Sequence, residues 1–147
     1  MSVMSIVATA VISVAIQTLR TTNTVTDRRD VFNDGRFALD QMATQIRQGE
    51  SIDATSDAST LRFSGYVDGV AKTIVWRTTG SAAPYGLERS TNGGTTYVTM
   101  LDSLASNDIF TYTAHDGTND QVTIQLELTT TTSTVDLTTD ISLRNAG

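Results

Sequence analysis

The residues best suited to chemistry in this sequence lie in one short polar segment near its C-terminal end. Within residues 115–120, Asp116, Asn119 and Asp120 offer the hard oxygen ligands that calcium prefers. The segment lacks the spacing of an EF-hand loop and its terminal glutamate. Asp, Gly and Asn are also the usual residues of a tight turn. We therefore expect a polar hairpin turn here and keep a calcium site as the alternative.

Most other site chemistry is excluded by the residues that the sequence lacks. It contains no cysteine, one lysine (Lys72) and one histidine (His115). This composition rules out multi-histidine and thiolate metal sites and argues against a Ser-His-Asp triad. The carboxylates show no spacing typical of a glycosidase, and no glycine-rich phosphate loop follows a strand. We therefore expect no enzyme activity, and no cofactor apart from the calcium alternative.

Length, charge and composition indicate one domain rich in β-structure. The chain has 147 residues, with 16 acidic against 10 basic side chains and a net charge of −6. An acidic chain lacks the basic surface that nucleic-acid binding requires. The sequence also holds 27 threonines and 13 serines, and threonine is a β-branched residue that favours strands.

The elements that must carry these residues begin with an apolar segment. No charge lies between Met1 and Leu19, and a helix of that length spans roughly 28 Å, close to the hydrocarbon thickness of a bilayer. Its small polar residues recur at steps of three or four, so they share one helical face where helices can approach closely. We predict that residues 1–20 form a membrane or filament-core helix. Its packing residues are Val3, Val7, Val11, Val14 and Leu19.

Two other interpretations of this segment stay open. A cleaved secretory signal peptide would also be apolar, but no basic stretch precedes the apolar run. A buried helix of a soluble globule would fit the serine and threonine stripe, which weakens the membrane signal.

Residues 21–49 are predicted to continue the same helix in amphipathic form. Apolar residues recur there at steps of three and four, and charges of both signs lie between them. Gly49 is a plausible C-cap. A single helix from about residue 1 to 48 would be about 70 Å long. The residues predicted to form the core between helix and sheet are Val31, Phe37, Leu39, Met42 and Ile46.

Residues 50–147 are predicted to form an antiparallel β-sheet. The segment Leu61–Arg77 is predicted to form a hairpin around the turn signal at Asp68-Gly69. Trp76 is predicted to be a core residue. Residues 121–130 and 135–144 alternate cleanly and predict a second hairpin. The predicted fold class is therefore α+β: a long N-terminal helix, transmembrane and then amphipathic, packed on an antiparallel sheet.

This arrangement resembles the type IV pilin-like proteins, including pilins, minor pilins and type II secretion pseudopilins. Residues 35–52, GRFALDQMATQIRQGESI, are similar to the helix end of J-type minor pseudopilins and PilW-like minor pilins. The following LRFSGYVDG, TIVWR and GLERS resemble their first hairpin and the strand after it. The terminal DISLRN resembles their closing strand. The order and spacing of these motifs cover nearly the whole chain.

The resemblance implies a structural role. It suggests a minor pilin or pseudopilin acting in filament initiation and assembly, with other such subunits and membrane lipid as partners. It also implies a single-pass protein of the cytoplasmic membrane with the β domain outside, which then enters a pilus or pseudopilus at the cell surface. The alternative is a secreted, β-rich adhesin or ligand-binding module that uses residues 80–94 or 115–120.

Overall fold

The computed structural model describes residues 2–115 and 118–143, with side chains for residues 25–114 and 120–143. One helix, α1 (Ser2–Arg47), precedes eight strands in the described residues. The helix is followed by Gly49, whose N–H donates to the carbonyl of Ile46 at 2.9 Å. The strands are β1 (Ser51–Ile52), β2 (Thr60–Val67), β3 (Val70–Thr79), β4 (Tyr85–Ser90), β5 (Val98–Leu104), β6 (Phe110–His115), β7 (Thr118–Thr129) and β8 (Thr134–Ser142).

The predicted fold class, a long helix packed on a sheet, is wrong. Strands account for about half of the residues whose side chains are described and curve into a half-barrel, so the fold of this part is mainly antiparallel β. The helical part whose side chains are described, residues 25–47, is only 23 residues long. The reason lies in the alternating, threonine-rich sequence after Ser51, which supplies enough strands to curve around one helix face rather than lie flat beneath it.

The sheet is antiparallel throughout, in the order β1-β2-β3-β4-β5-β7-β6, with β8 pairing the other side of β7. The β2–β3 hairpin turns where the sequence predicted it, with Val67 opposite Val70. Asp68 and Gly69 both have positive φ, 53° and 75°, as the tightest two-residue hairpin turns require. Strand β7 joins the strands of the second half of the sheet, because it pairs with β5, β6 and β8.

The core lies between α1 and the concave inner face of the sheet. Ala38, Met42 and Ile46 are fully buried. Val31 and Leu39 are half-buried and pack at the margin of the core. Trp76, predicted to be a core residue, is also fully buried.

A close approach between helix and sheet occurs at Gly35. A Cβ added there would collide with Cδ1 of Leu128 and would lie 3.2 Å from Cδ1 of Leu137. Glycine in a helix interior costs about 0.5–1 kcal/mol relative to alanine. Here the missing side chain lets the helix backbone sit directly on β7 and β8.

The prediction that Phe37 belongs to the core is wrong, because its side chain is 63% exposed. At about 100° per residue, Phe37 points about 140° away from Met42 around the helix. The neighbouring small residue, Ala38, occupies the core-facing position instead. The hydrophobicity of Phe37 suggested a core position, whereas its angle around the helix directs the side chain away from the core.

The segment between β1 and β2 packs against the start of β6. The N–H groups of Ile109 and Phe110 both donate to the carbonyl of Ala58, at 2.9 and 3.0 Å. The Tyr112 hydroxyl donates to the carbonyls of Asp57 and Thr60, at 3.0 and 3.1 Å. Burial raises the pKa of Tyr112 well above its usual range, so the hydroxyl stays protonated and keeps donating.

Candidate assembly surface

The predicted packing residues of the N-terminal helix fall outside the residues whose side chains are described. They are Val3, Val7, Val11, Val14 and Leu19. Further along α1, Asp27 links the helix to the sheet. Its Oδ2 accepts hydrogen bonds from the N–H and the hydroxyl of Thr131, at 3.2 and 3.0 Å. This pair fastens the tip of the β7–β8 hairpin to the helix.

The described part of α1 has two flanks of opposite charge. One flank, which lies beside β8, carries four arginines together with Asp40, and the other carries three aspartates. These residues are Arg28, Arg29, Arg36 and Arg47 on the first flank, and Asp27, Asp30 and Asp34 on the second. Within the described residues the one ion pair is Arg77–Glu88, so none of the four arginines has a carboxylate partner there. The helix therefore presents a net positive charge along β8.

Two cavities lie along this junction between α1 and β8, which we call the seam. The first, of about 460 Å³, is lined by residues that include Val25, Arg28, Phe32 and Val135. The second, of about 630 Å³, lies at the other end and includes Arg47 and Leu143. Val25 is 46% exposed, which is high for a large apolar side chain next to a cavity. The seam therefore combines apolar surface with unpaired positive charge.

The predicted calcium ligands do not form a group in the described residues. Asp116 lies outside them, as does the side chain of Asn119. His115 pairs with Thr118, so Asn119 and Asp120 belong to β7 rather than to the expected loop. Among the described residues, no cluster of three or more histidine or acidic side chains could hold a metal.

A polar group that sequence reasoning missed surrounds Trp76. The indole Nε1–H donates to Oε1 of Gln45 at 3.0 Å, and the Arg89 guanidinium lies 5.9 Å from the ring centroid. Two buried atoms beside this group, Oε1 of Gln41 and Nε of Arg89, lack hydrogen-bond partners. The available sequence signal was that Gln41 and Gln45 lie one helical turn apart on the flank that faces β3 and β4.

The β4–β5 connection, residues 91–97, folds over the outer face of the sheet. Tyr97 stacks on Arg77, with 3.5 Å from the guanidinium carbon to the ring centroid. Arg77 in turn donates to Oε2 of Glu88 through Nε and Nη2, at 3.0 and 2.8 Å. Val75, on the same face, is 1% exposed. The connection therefore gives the outer face a small buried cluster of its own.

The same connection is held by the hydroxyl of Ser90, which is 1% exposed. It donates to Oδ1 of Asn92 at 2.7 Å and accepts from the N–H of Gly94 at 2.9 Å. Gly93 and Gly94 have φ of 72° and 93°, which a residue with a side chain rarely adopts. Most polar groups of the connection thus bond to one another.

The turn between β1 and β2 is held by a carboxylate. Oδ1 of Asp57 accepts from the hydroxyl and the N–H of Ser59, both at 2.8 Å, and from the N–H of Thr60 at 2.7 Å. The hydroxyl bond from Ser59 is the main reason that the pKa of Asp57 lies below its usual value of 3.8. The charged form of Asp57 therefore stabilises this turn.

Comparison with known proteins leaves the family open. No protein-family model, curated protein or solved structure matches this chain. The resemblance to pilin-like proteins therefore rests on the sequence motifs themselves. Among the described residues, none of the helices offers an apolar stretch long enough to cross a membrane. The side chains of the predicted membrane segment, residues 1–20, lie outside that description.

Proposed function

We propose that this protein is a structural subunit of a pilus or secretion filament, a minor pilin or pseudopilin that acts in filament assembly. One observation carries the proposal. Helix α1 begins at Ser2, and its sequence carries no charge as far as Leu19. The protein thus has a helical segment whose apolar residues need a partner.

The apolar side chains of that segment are stabilised by burial away from water. Burying apolar surface is worth about 25 cal/mol per Å², so a long uncharged helix left in water is unfavourable. Lipid can cover it before assembly, and helices of neighbouring subunits can cover it afterwards. Serine and threonine on one face favour close helix–helix packing in an apolar medium. The half-barrel then lies outside the membrane, at the cell surface once the filament has formed.

Exposed residues along the described helix support the same role. Phe37 is 63% exposed and Val25 is 46% exposed, and arginines beside them have no described ion-pair partner. Exposed apolar residues bordered by charge are typical of protein–protein contacts. Between identical or related subunits, such residues would add contacts beyond the apolar helix.

Crosslinking in the native cell envelope tests the proposal. The sequence has no cysteine, so Val11→Cys introduces a unique thiol on the predicted packing helix. We expect disulfide or bismaleimide crosslinks from Val11→Cys to other subunits, and none from the matched control Thr113→Cys on the exposed outer face of β6. Intact mass of the same sample reports whether residues 1–19 remain on the mature protein.

A mature N-terminus beyond Leu19 would overturn the proposal and favour the secreted binding module. The structure gives that alternative less support at one of its two loops. Residues 91–96 direct most of their polar groups at one another, as the bonds between Asn92 and Thr96 at 2.8 and 3.0 Å illustrate. Few of those groups remain to hold a ligand.

A further inference from the structure

Strand β8 forms a long edge of the sheet. It pairs with β7 over nine residues, and no other strand among the described residues pairs with it. At the opposite end of the sheet the edge strand, β1, has only two residues. An open edge of nine residues presents a row of backbone donors and acceptors that another strand can bind.

The hydrogen-bond pattern identifies which backbone groups are free. The N–H of Leu143 donates to the carbonyl of Asp120 at 2.8 Å, and the next pair along is Ser142 with Gln121. Bonded and non-bonded pairs alternate in an antiparallel ladder, so alternate residues of β8 direct both backbone groups away from β7. Those residues are Thr134, Asp136, Thr138, Asp140 and Ser142.

The two faces beside this edge carry opposite charges. On the outer face, Asp136 lies directly opposite Glu127, and two carboxylates so placed repel each other. Asp140 on the same face is exposed and accepts a hydrogen bond from the Thr123 hydroxyl at 2.6 Å. On the inner face lies the seam, with its two cavities, apolar residues and unpaired arginines.

We propose that the free edge of β8 binds an extended segment of a different protein subunit by strand addition. The segment carries basic side chains at outward positions, where they meet Asp136 and Asp140. At inward positions it carries apolar or acidic side chains, which enter the seam. The inference rests on the proposed function, since the segment comes from a neighbouring subunit, and it names one contact between subunits.

Charge argues against a second copy of this chain as the occupant. Antiparallel pairing of two β8 strands about Thr138 would set Asp136 of each copy opposite Asp140 of the other. Like charges directly opposite in a sheet are destabilising. A basic strand removes that repulsion and also offsets the contact between Asp136 and Glu127.

The first test uses the full chain in detergent and two synthetic nine-residue peptides. One peptide alternates lysine with valine and has glutamate at one valine position, so that lysine faces outward and the rest face inward. The other has the same composition with the lysines in one block. We expect the alternating peptide to bind at least about tenfold more tightly by fluorescence anisotropy. Equal affinities of the two peptides would overturn the proposal. The net charge of the peptide would then explain binding without any pairing of its residues with those of β8.

The second test removes one edge donor. Thr138→Pro deletes an N–H that points away from β7, a position where proline is tolerated on an edge strand. We expect it to abolish the preference for the alternating peptide, whereas Thr138→Ala retains it. Circular dichroism and the melting temperature check folding. An unchanged preference in a folded Thr138→Pro protein would contradict strand addition.

A third variant keeps the proposal testable if Thr138→Pro fails to fold. Asp136→Lys combined with Asp140→Lys leaves the backbone intact and should reverse the preference toward a peptide with outward glutamates. No reversal would overturn the charge argument. Sedimentation that shows a Thr138-dependent dimer would assign the edge to a second copy and overturn the proposed partner. Crosslinking at Val11 is independent of all three tests, so failure at the edge is distinguishable from failure of the proposed function.

Discussion

The two faces of the sheet are covered in different ways. The inner face packs on α1 through apolar residues such as Met42, Ile46 and Trp76, all fully buried. The outer face is mostly polar and is covered locally by residues 91–97. There a buried serine, an ion pair and an aromatic stack provide most of the contacts.

This difference between the two faces shows which interactions stabilise each region. Burial of apolar side chains is non-directional and scales with area, so the inner face depends on volume and shape. Hydrogen bonds and stacked charges are directional and individually small, so the outer connection depends on particular atoms. Deleting volume on the inner face should therefore cost more than deleting one polar group outside.

The largest expected effect is on the inner face. Met42→Ala should lower the free energy of unfolding by about 2–5 kcal/mol, because a fully buried side chain leaves a cavity. Phe37→Ala, five residues earlier on the same helix, should change it by less than about 0.5 kcal/mol. Urea unfolding of both variants measures the contrast. Equal losses would mean that Phe37 is buried in solution.

The next effect concerns the support of the outer connection. Ser90→Ala should cost about 1–2 kcal/mol, since it leaves the N–H of Gly94 without its partner and removes one of the two donors to Oδ1 of Asn92. Ser64→Ala, an exposed position on β2, is the matched control and should be nearly neutral. Thermal unfolding followed by circular dichroism compares them. A neutral Ser90→Ala would show that the connection is held by Tyr97 instead.

A smaller effect is expected from the ion pair beneath Tyr97. The Arg77 side chain is 41% exposed, so solvent screens its attraction to Glu88. A double-mutant cycle with Arg77→Ala and Glu88→Ala should give a coupling of about 0.5–1 kcal/mol that weakens as salt is added. Arg36→Ala, with no described ion-pair partner, should show no such salt dependence. A salt-independent coupling would assign the interaction to packing.

The smallest effect is a pH dependence at the β1–β2 turn. Because the pKa of Asp57 is lower in the folded chain than its usual 3.8, the unfolded chain takes up the proton first as the pH falls. The contribution of Asp57 is therefore complete above about pH 3.8 and is lost progressively below it. Asp57→Asn should lose part of this pH dependence of the melting temperature.

Ser59→Ala, which removes the strongest hydrogen bond to Asp57, should reduce the same slope. Met42→Ala should leave it unchanged, since the methionine side chain does not titrate. A pH slope identical in wild-type and Asp57→Asn proteins would contradict the assignment to Asp57.

Local patterns in the sequence located several elements well. The turn at Asp68-Gly69 was predictable because tight hairpins need residues that accept positive φ. Strands β7 and β8 were predictable because their apolar residues alternate with polar ones. Their bounds still differ by a few residues, and the expected loop at residues 115–120 is partly strand.

The sequence did not reveal how far the sheet dominates the fold or which edge it leaves free. The pairing of β5 with β7 at Leu104 and Leu128 joins strands separated by another strand in the sequence. The cover over the outer face likewise depends on the contact between Tyr97 and Arg77 on β3. No periodicity within a segment encodes these long-range choices.

By itself the sequence determined where the chain is helical and extended and which residues alternate, because those properties depend on neighbours a few positions apart. It also fixed the uncharged N-terminal segment on which the proposed function rests. Only the tertiary structure decided that Ala38 rather than Phe37 faces the core and that β8 is an open edge beside unpaired arginines. These outcomes depend on helix rotation and strand order, which are set when distant segments compete to bury the same apolar surface.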